Sequence, residues 1–140
     1  MKTEEFRIGN IVRARKFNDS DWNEQCIIDS INNEGINLYW SYSGIETYAI
    51  WKNIEGIPLT KDWLKKWGFN FDDETEDFPN ANKDFGRYNI VVETEQMGVH
   101  VYNESYSDTL FLMYARTDYV HEFQNLIFAL TNNELETKLF

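Results

Sequence analysis

The sequence predicts an α+β fold: short strands first, a short helix in the middle, more strands, and a longer helix near the end. Three observations predict it. The first 60 residues hold brief β-rich runs divided by Asn, Asp and Gly clusters. Two stretches, starting near residues 60 and 118, repeat apolar side chains at helical spacing. Between them, after an acid-rich loop, β-branched and aromatic runs resume.

The elements follow in order. Ile8 to Phe17 is β-rich, entered through Gly9-Asn10, with Ile11 and Arg13 on one face and Val12, Ala14 and Lys16 on the other. Asn18 to Asp21 has loop chemistry. Gln25 to Ile31 is a second strand. Asn32-Asn33-Glu34-Gly35 predicts a hairpin turn, because Asn and Gly tolerate positive φ. Ile36 to Trp40 is a third strand, Ser41 to Gly44 a turn, and Thr47 to Trp51 a fourth strand. Four or five short strands in under 60 residues predict a small SH3-like barrel or meander. A helix then starts at the N-cap Thr60, with Asp62 suiting the dipole, Leu59 and Leu64 at staple spacing, and Gly68 as terminator. Its Trp63, Leu64 and Trp67 share one face. Phe71 to Asp84 is expected to be a loop, or a loop around a hairpin. Tyr88 to Glu93, Gly98 to Tyr102 and Thr109 to Arg116 predict an antiparallel meander. Asp118 to Leu130 predicts an amphipathic helix, with Val120, Phe123, Ile127 and Leu130 on its apolar face.

A chain of 140 residues fits one domain, here 1–140, with subregions 1–58 and 59–140. The aromatic content of 16% lets a small core be stable. The longest apolar run, Leu110 to Ala115, is far short of the roughly 20 residues of a membrane helix. Cys26 is the one cysteine, so no internal disulfide forms. A cytoplasmic protein is expected. The formal charge is −11, divided as −3 over residues 1–60 and −8 over residues 61–140. Such a surface suits a basic protein partner better than free nucleic acid, although acidity also serves solubility alone.

No catalytic constellation stands out, and neither enzyme activity nor a cofactor is expected. His100 and His121 are the only histidines, and either could form a dyad with Cys26, yet no nucleophile motif surrounds them. A structural histidine is the simpler reading. Metal-ligand spacing is absent, and the acidic run does not fit a calcium loop, which would want Gly at Asp77 and Glu at Lys83.

Three sets of residues are binding candidates. The first is the acidic run Asp72, Asp73, Glu74, Glu76 and Asp77, against a reading as a solvated loop. The second is the aromatics Tyr39, Trp40 and Trp51. Alternation puts Tyr39 and Trp40 on opposite strand faces, so one is either an interface anchor or covered by the Trp63–Trp67 helix. The third, for the alternative of a small nucleic-acid-binding module, is Arg13, Arg15 and Lys16, against a charged edge that resists aggregation.

Arg7-Ile8-Gly9-Asn10-Ile11-Val12, Ile57-Pro58-Leu59-Thr60 with Trp63-Leu64 and Trp67-Gly68-Phe69, and Tyr119-Val120-His121-Glu122-Phe123-Gln124-Asn125-Leu126 with Phe128-Ala129-Leu130-Thr131 carry a resemblance. With them the chain resembles a family of small uncharacterised proteins of Bacteroidota and their phages and mobile elements. The resemblance brings no catalytic residue. It implies a phage or mobile-element setting in a bacterial host, where small acidic proteins often block nucleic-acid-directed defence. The expected function is therefore a non-enzymatic inhibitor, anti-CRISPR or anti-restriction-like, that occupies a basic surface. The alternatives are the nucleic-acid module and a structural or accessory protein.

Overall fold

The computed structural model describes residues 5–15, 23–40, 46–73, 75–105 and 108–135. The expected loop at Asn18 to Asp21 and turn at Ser41 to Gly44 lie outside them. The fold is mixed α+β, mostly strands: two antiparallel sheets and two helices. The first sheet comprises β1 (Ile11–Ala14), β2 (Asn23–Ile31), β3 (Gly35–Trp40), β4 (Glu46–Ile50) and β5 (Ile54–Gly56), in the order β4-β3-β2-β1-β5. A 3-10 turn, Trp51–Asn53, separates β4 from β5. The second sheet comprises β6 (Asn70–Phe71), β7 (Asn80–Phe85), β8 (Tyr88–Glu93), β9 (Gly98–Ser105) and β10 (Asp108–Arg116), in the order β10-β9-β8-β7-β6. Helix α1 is Lys61–Lys66 and α2 is Val120–Thr131. Of the expected barrel or meander, the described residues of β1 to β4 form a meander and no closed barrel. Among the described residues the first sheet is open, with β4 and β5 at its two edges.

Alternation along β1 and β2 joins two cores. Val12 pairs with Cys26 and Ile11 with Ile27. Val12, Ala14, Cys26 and Ile28 point into a small core with Ile36, Leu38, Ala49, Ile54 and Phe6. Ile11 and Ile27 point the other way, into the larger core. There Ile90, Val92, Val99 and Val101 of the second sheet meet Trp63, Leu64 and Trp67 of α1 and Val120, Phe123 and Ile127 of α2. A period-2 strand buried on both faces is thus the seam of the molecule.

The central helix ends as its sequence suggests. Gly68 has φ +82°, Phe69 N donates to Leu64 O (3.0 Å) and Gly68 N to Lys65 O (3.0 Å), the two bonds of a Schellman motif. Leu59 and Leu64 are both in the larger core. Thr60 stands at the N-cap, but its side chain makes no capping bond. Trp67 stacks on Phe123 of α2 at 5.6 Å, and Trp63 lies 5.5 Å from Trp67.

Of the loop, or loop around a hairpin, expected over Phe71 to Asp84, the structure takes the hairpin: β6 and β7 pair (Asn70↔Asn82, Phe71↔Ala81) on either side of the acidic run, and β7 pairs in turn with β8 from Asn80↔Glu93 to Phe85↔Tyr88. One further expectation changes. The turn at Asn32 does not rest on a positive φ, since among the described residues only Gly9, Gly68 and Gly86 among glycines, and Met97 and Asn132 besides, have one. Instead Asn32 Oδ1 accepts from Glu34 N (2.9 Å) and Gly35 N (3.0 Å), an Asx-type turn. Gly35 is needed for a different reason: a Cβ there would stand 2.1 Å from Ala49 O on β4.

Candidate functional site

The acidic loop joins β6 to β7. Asp72, Asp73, Glu76 and Asp77 are all exposed, and Glu74 lies outside the described residues. The loop is held in place by its own chemistry. Asp73 Oδ1 accepts from Thr75 N (2.9 Å) and Thr75 Oγ1 (2.6 Å). The bonds from Thr75, side chain first, keep the Asp73 carboxyl below its ordinary range. Asp72 Oδ1 accepts from Asn82 Nδ2 on β7 (3.3 Å), and Lys61 Nζ donates to the Asp77 carbonyl (3.2 Å). Four carboxylates therefore stand on a fixed turn, facing water. Beside them is Phe78, 56% exposed, which the sequence reasoning missed. Its one signal is an aromatic among acids, where burial is not available.

The aromatic candidates do not join this loop, because they belong to the other sheet. Tyr39 is 37% exposed on β3, on the face opposite the buried Ile36 and Leu38. The side chain of Trp40 lies outside the description. Trp51 is half-buried, donates Nε1–H to Asn33 O (3.2 Å) and stacks on Phe6 at 6.0 Å. It is therefore largely engaged in packing. Tyr48, 45% exposed, shares the Tyr39 face. Of the basic set, Arg13 is paired with Glu55 (2.6 Å) and Arg15 bonds Asn53 Oδ1 (3.2 Å). Lys16 lies outside the described residues.

The histidines and the cysteine stand apart. Cys26 is in the small core, and burial pushes its thiol up to about 11. A thiol so placed is a poor nucleophile. His121 is 1% exposed between the rings of Phe6 (4.6 Å) and Tyr119 (5.7 Å). His100 sits on the outer face of the second sheet and bonds Glu93 (2.8 Å). Among the described residues no group of three His, Cys, Asp or Glu is placed to hold a metal ion. Nor is any helix among them long and apolar enough to cross a membrane.

No protein family, curated protein or solved structure matches the chain. Residues of the stretches 7–12, 57–69 and 119–131 meet in space. Asn10, fully buried, donates to Asn125 Oδ1 (2.8 Å), and Ile11 N donates to Gln124 Oε1 (2.8 Å). Gln124 Nε2 returns a bond to Gly9 O (3.2 Å), and Arg7 reaches both Asn125 and Glu134. Leu59 N donates to Asp118 O and Val120 N to Ile57 O, tying the entries of α1 and α2 together. These residues satisfy buried polar groups and dock α2 on β1, which is work of folding rather than chemistry.

A recess of about 310 Å³ is lined by Lys66, Trp67, Gly68, Lys83, Phe85, Glu134 and Leu135. Burial draws Lys66 below the ordinary lysine range. Lys83 donates to the Trp67 carbonyl at the end of α1, where a cation suits the helix dipole. Lys83→Met keeps the aliphatic stem but removes that bond. It is expected to lower stability by about 1 kcal/mol, read from the urea midpoint; an unchanged midpoint would show that the bond adds nothing.

Proposed function

We propose that this chain is a non-enzymatic acidic binding protein that occupies a basic surface of a nucleic-acid-directed host effector, in the manner of an anti-CRISPR or anti-restriction inhibitor. The observation that carries the reading is the fixed turn bearing Asp72, Asp73, Glu76 and Asp77, with Phe78 exposed beside them. Carboxylates held by Thr75 and Asn82 need little ordering on contact, which lowers the entropy cost of binding. A single exposed aromatic gives such a surface a desolvated anchor. The mechanism is occlusion: carboxylates stand where phosphates would bind, and association is steered by opposite potential. We also read the first sheet as an SH3-like unit; its order β4-β3-β2-β1-β5 and the 3-10 turn before β5 support this by analogy of fold alone. The nucleic-acid alternative has less support, because Arg13 is already paired with Glu55.

The test is affinity capture from a bacterial host lysate with nuclease treatment, followed by mass spectrometry and a salt titration. A basic effector retained after nuclease supports protein contact, whereas recovery that vanishes with nuclease supports the nucleic-acid module. With the partner in hand, changing Asp72, Asp73 and Asp77 to Asn and Glu74 and Glu76 to Gln together is expected to weaken binding about a hundredfold. It should also flatten the salt dependence. Unchanged affinity would remove the loop from the interface.

A further inference from the structure

We propose that the outer face of the second sheet forms the larger part of the interface and takes an arginine-bearing protein surface, whose guanidinium groups lie over its rings and against its carboxylates. The inference rests on the reading above that the partner is basic, and it names where most of that partner sits. A specific interface draws about 20–30 residues from each side. The acidic turn 72–77 supplies six, so a partner docked there needs a surface that continues from it.

The outer face of the second sheet does continue from it. Asp72 accepts from Asn82 of β7 (3.3 Å), and Asn82 lies on the face opposite the helices. Both helices pack on the inner face, against Ala81, Ile90, Val92, Val99 and Val101. Alternation and register then place Asn82, Val91, His100 and Tyr114 in one row across the outer face. Asp84, Asn89, Tyr102 and Phe111 form the next row.

The face divides by chemistry. On β9 and β10 the rings touch in sequence: Tyr102–Phe111 at 5.5 Å, His100–Phe111 at 6.2 Å and His100–Tyr114 at 4.9 Å. Phe111 is 52% exposed and Tyr114 46%. Contiguous exposed rings on one face mark an interaction surface. Beside them stand the carboxylates of Asp84, Glu93 and Glu104, of which Asp84 and Glu104 are exposed and Glu93 is half-buried. Asn89 Nδ2 donates to Asp84 (2.7 Å) and His100 bonds Glu93 (2.8 Å), so two of these acids are fixed against their neighbours. Arginines stand only at the margins. Arg116 donates to Asp118 (3.0 Å), and Arg87 lies over the Tyr88 ring at 5.2 Å.

The occupant is argued from charge complementarity and size. A guanidinium group is flat and cationic, so it stacks on a ring and offers N–H groups to a carboxylate at once. A phosphate backbone would instead meet Asp72, Asp84, Glu93 and Glu104 and be repelled. Four strands about 4.8 Å apart and about 20 Å long present roughly 400 Å². With the acidic turn added, the surface comes to the roughly 600 Å² per partner at which specific interfaces begin.

The experiment titrates the isotope-labelled full chain with a hexa-arginine peptide and follows the backbone amide chemical shifts. Shifts are expected at 89–93, 98–104 and 111–116 as well as at 72–77. Phe111→Leu combined with Tyr114→Leu keeps the surface apolar but removes two rings, and should raise the Kd about tenfold with unchanged circular dichroism. The shift map of the unmodified chain stands whether or not the variant folds. Shifts confined to 72–77 overturn this inference and leave the turn as the site. Shifts on the sheet face without the turn support it and remove the turn. Shifts scattered over every exposed carboxylate, no shift at all, or a folded double variant that binds as tightly as the parent overturn it.

Discussion

Replacing Phe123 by Ala is expected to lower stability by about 4 kcal/mol, a large part of the whole for a domain of this size. Phe123 is fully buried. Its ring stacks on Trp67 with an interplanar angle of 10° and lies 5.7 Å from Phe69. Those two rings are positioned by the Schellman end of α1, and Phe123 is positioned by α2, so the side chain is the contact between the helices. The backbone that carries Trp67 and Phe69 is fixed by bonds from Trp67 N, Gly68 N and Phe69 N, so the two rings are expected to fill the gap only in part. A cavity that does not collapse carries the full penalty of lost transfer energy and lost dispersion contacts. Because Ile11 and Val12 are neighbours that feed the two cores, the loss should be felt by the chain as one cooperative transition. Urea unfolding followed by Trp fluorescence and by far-ultraviolet dichroism tests this. A loss under about 1.5 kcal/mol would mean that the rings do repack, and separated transitions would mean that the cores melt independently.

The helices were legible because their signals are local. Trp63, Leu64 and Trp67 at helical spacing, then Gly68, specify both a face and a stop. Val120, Phe123 and Ile127 do the same for α2. Strand β7 was legible only as one arm of an alternative hairpin around the acidic run, since Asn80-Ala81-Asn82-Lys83-Asp84-Phe85 lacks the β-branched residues that mark strands. It is a strand through its pairing with β6 and β8, a non-local cause. The run Leu110 to Ala115 was legible as a strand but not as an exposed edge. Alternation says which residues share a face, not what covers that face. The acidic loop was recognisable from charge density, whereas the fixing bonds from Thr75 and Asn82 and the exposure of Phe78 required the fold. Tyr39 and Trp51 were singled out together, but packing separates them: one stays at the surface and the other goes under Phe6.

Acid should weaken this fold through His121 before its carboxylates titrate, and His121→Phe should remove that weakness. Burial lowers His121 from 6.5 to about 4. The groups against it are the rings of Phe6 and Tyr119 and the backbone of Gly56, where a Cβ would stand 2.8 Å from the imidazole Cε1. None of these favours a positive charge enough to offset desolvation. Above pH 6.5 the imidazole is neutral in both folded and unfolded chains and stability is intact. As the pH falls below 6.5 the unfolded chain takes up a proton that the folded chain refuses, so stability declines. The loss is complete near pH 4 and amounts to about 3 kcal/mol at about 1.4 kcal/mol per unit. Asp73 and Glu93, whose carboxyls are held below their ordinary range by hydrogen bonds from Thr75 and from Gln96 and His100, act in the same direction at lower pH. In the Phe variant the urea midpoint should stay level from pH 6.5 down to about pH 5, where the carboxylates begin to titrate. At neutral pH that variant should also gain about 1 kcal/mol, because His121 Nδ1 is buried with no hydrogen-bond partner among the described residues and a phenyl ring has no such atom to satisfy. Equal pH slopes in the two proteins would show that the acid sensitivity lies elsewhere. A loss of stability at neutral pH would show that the imidazole makes a polar contact that phenyl cannot replace.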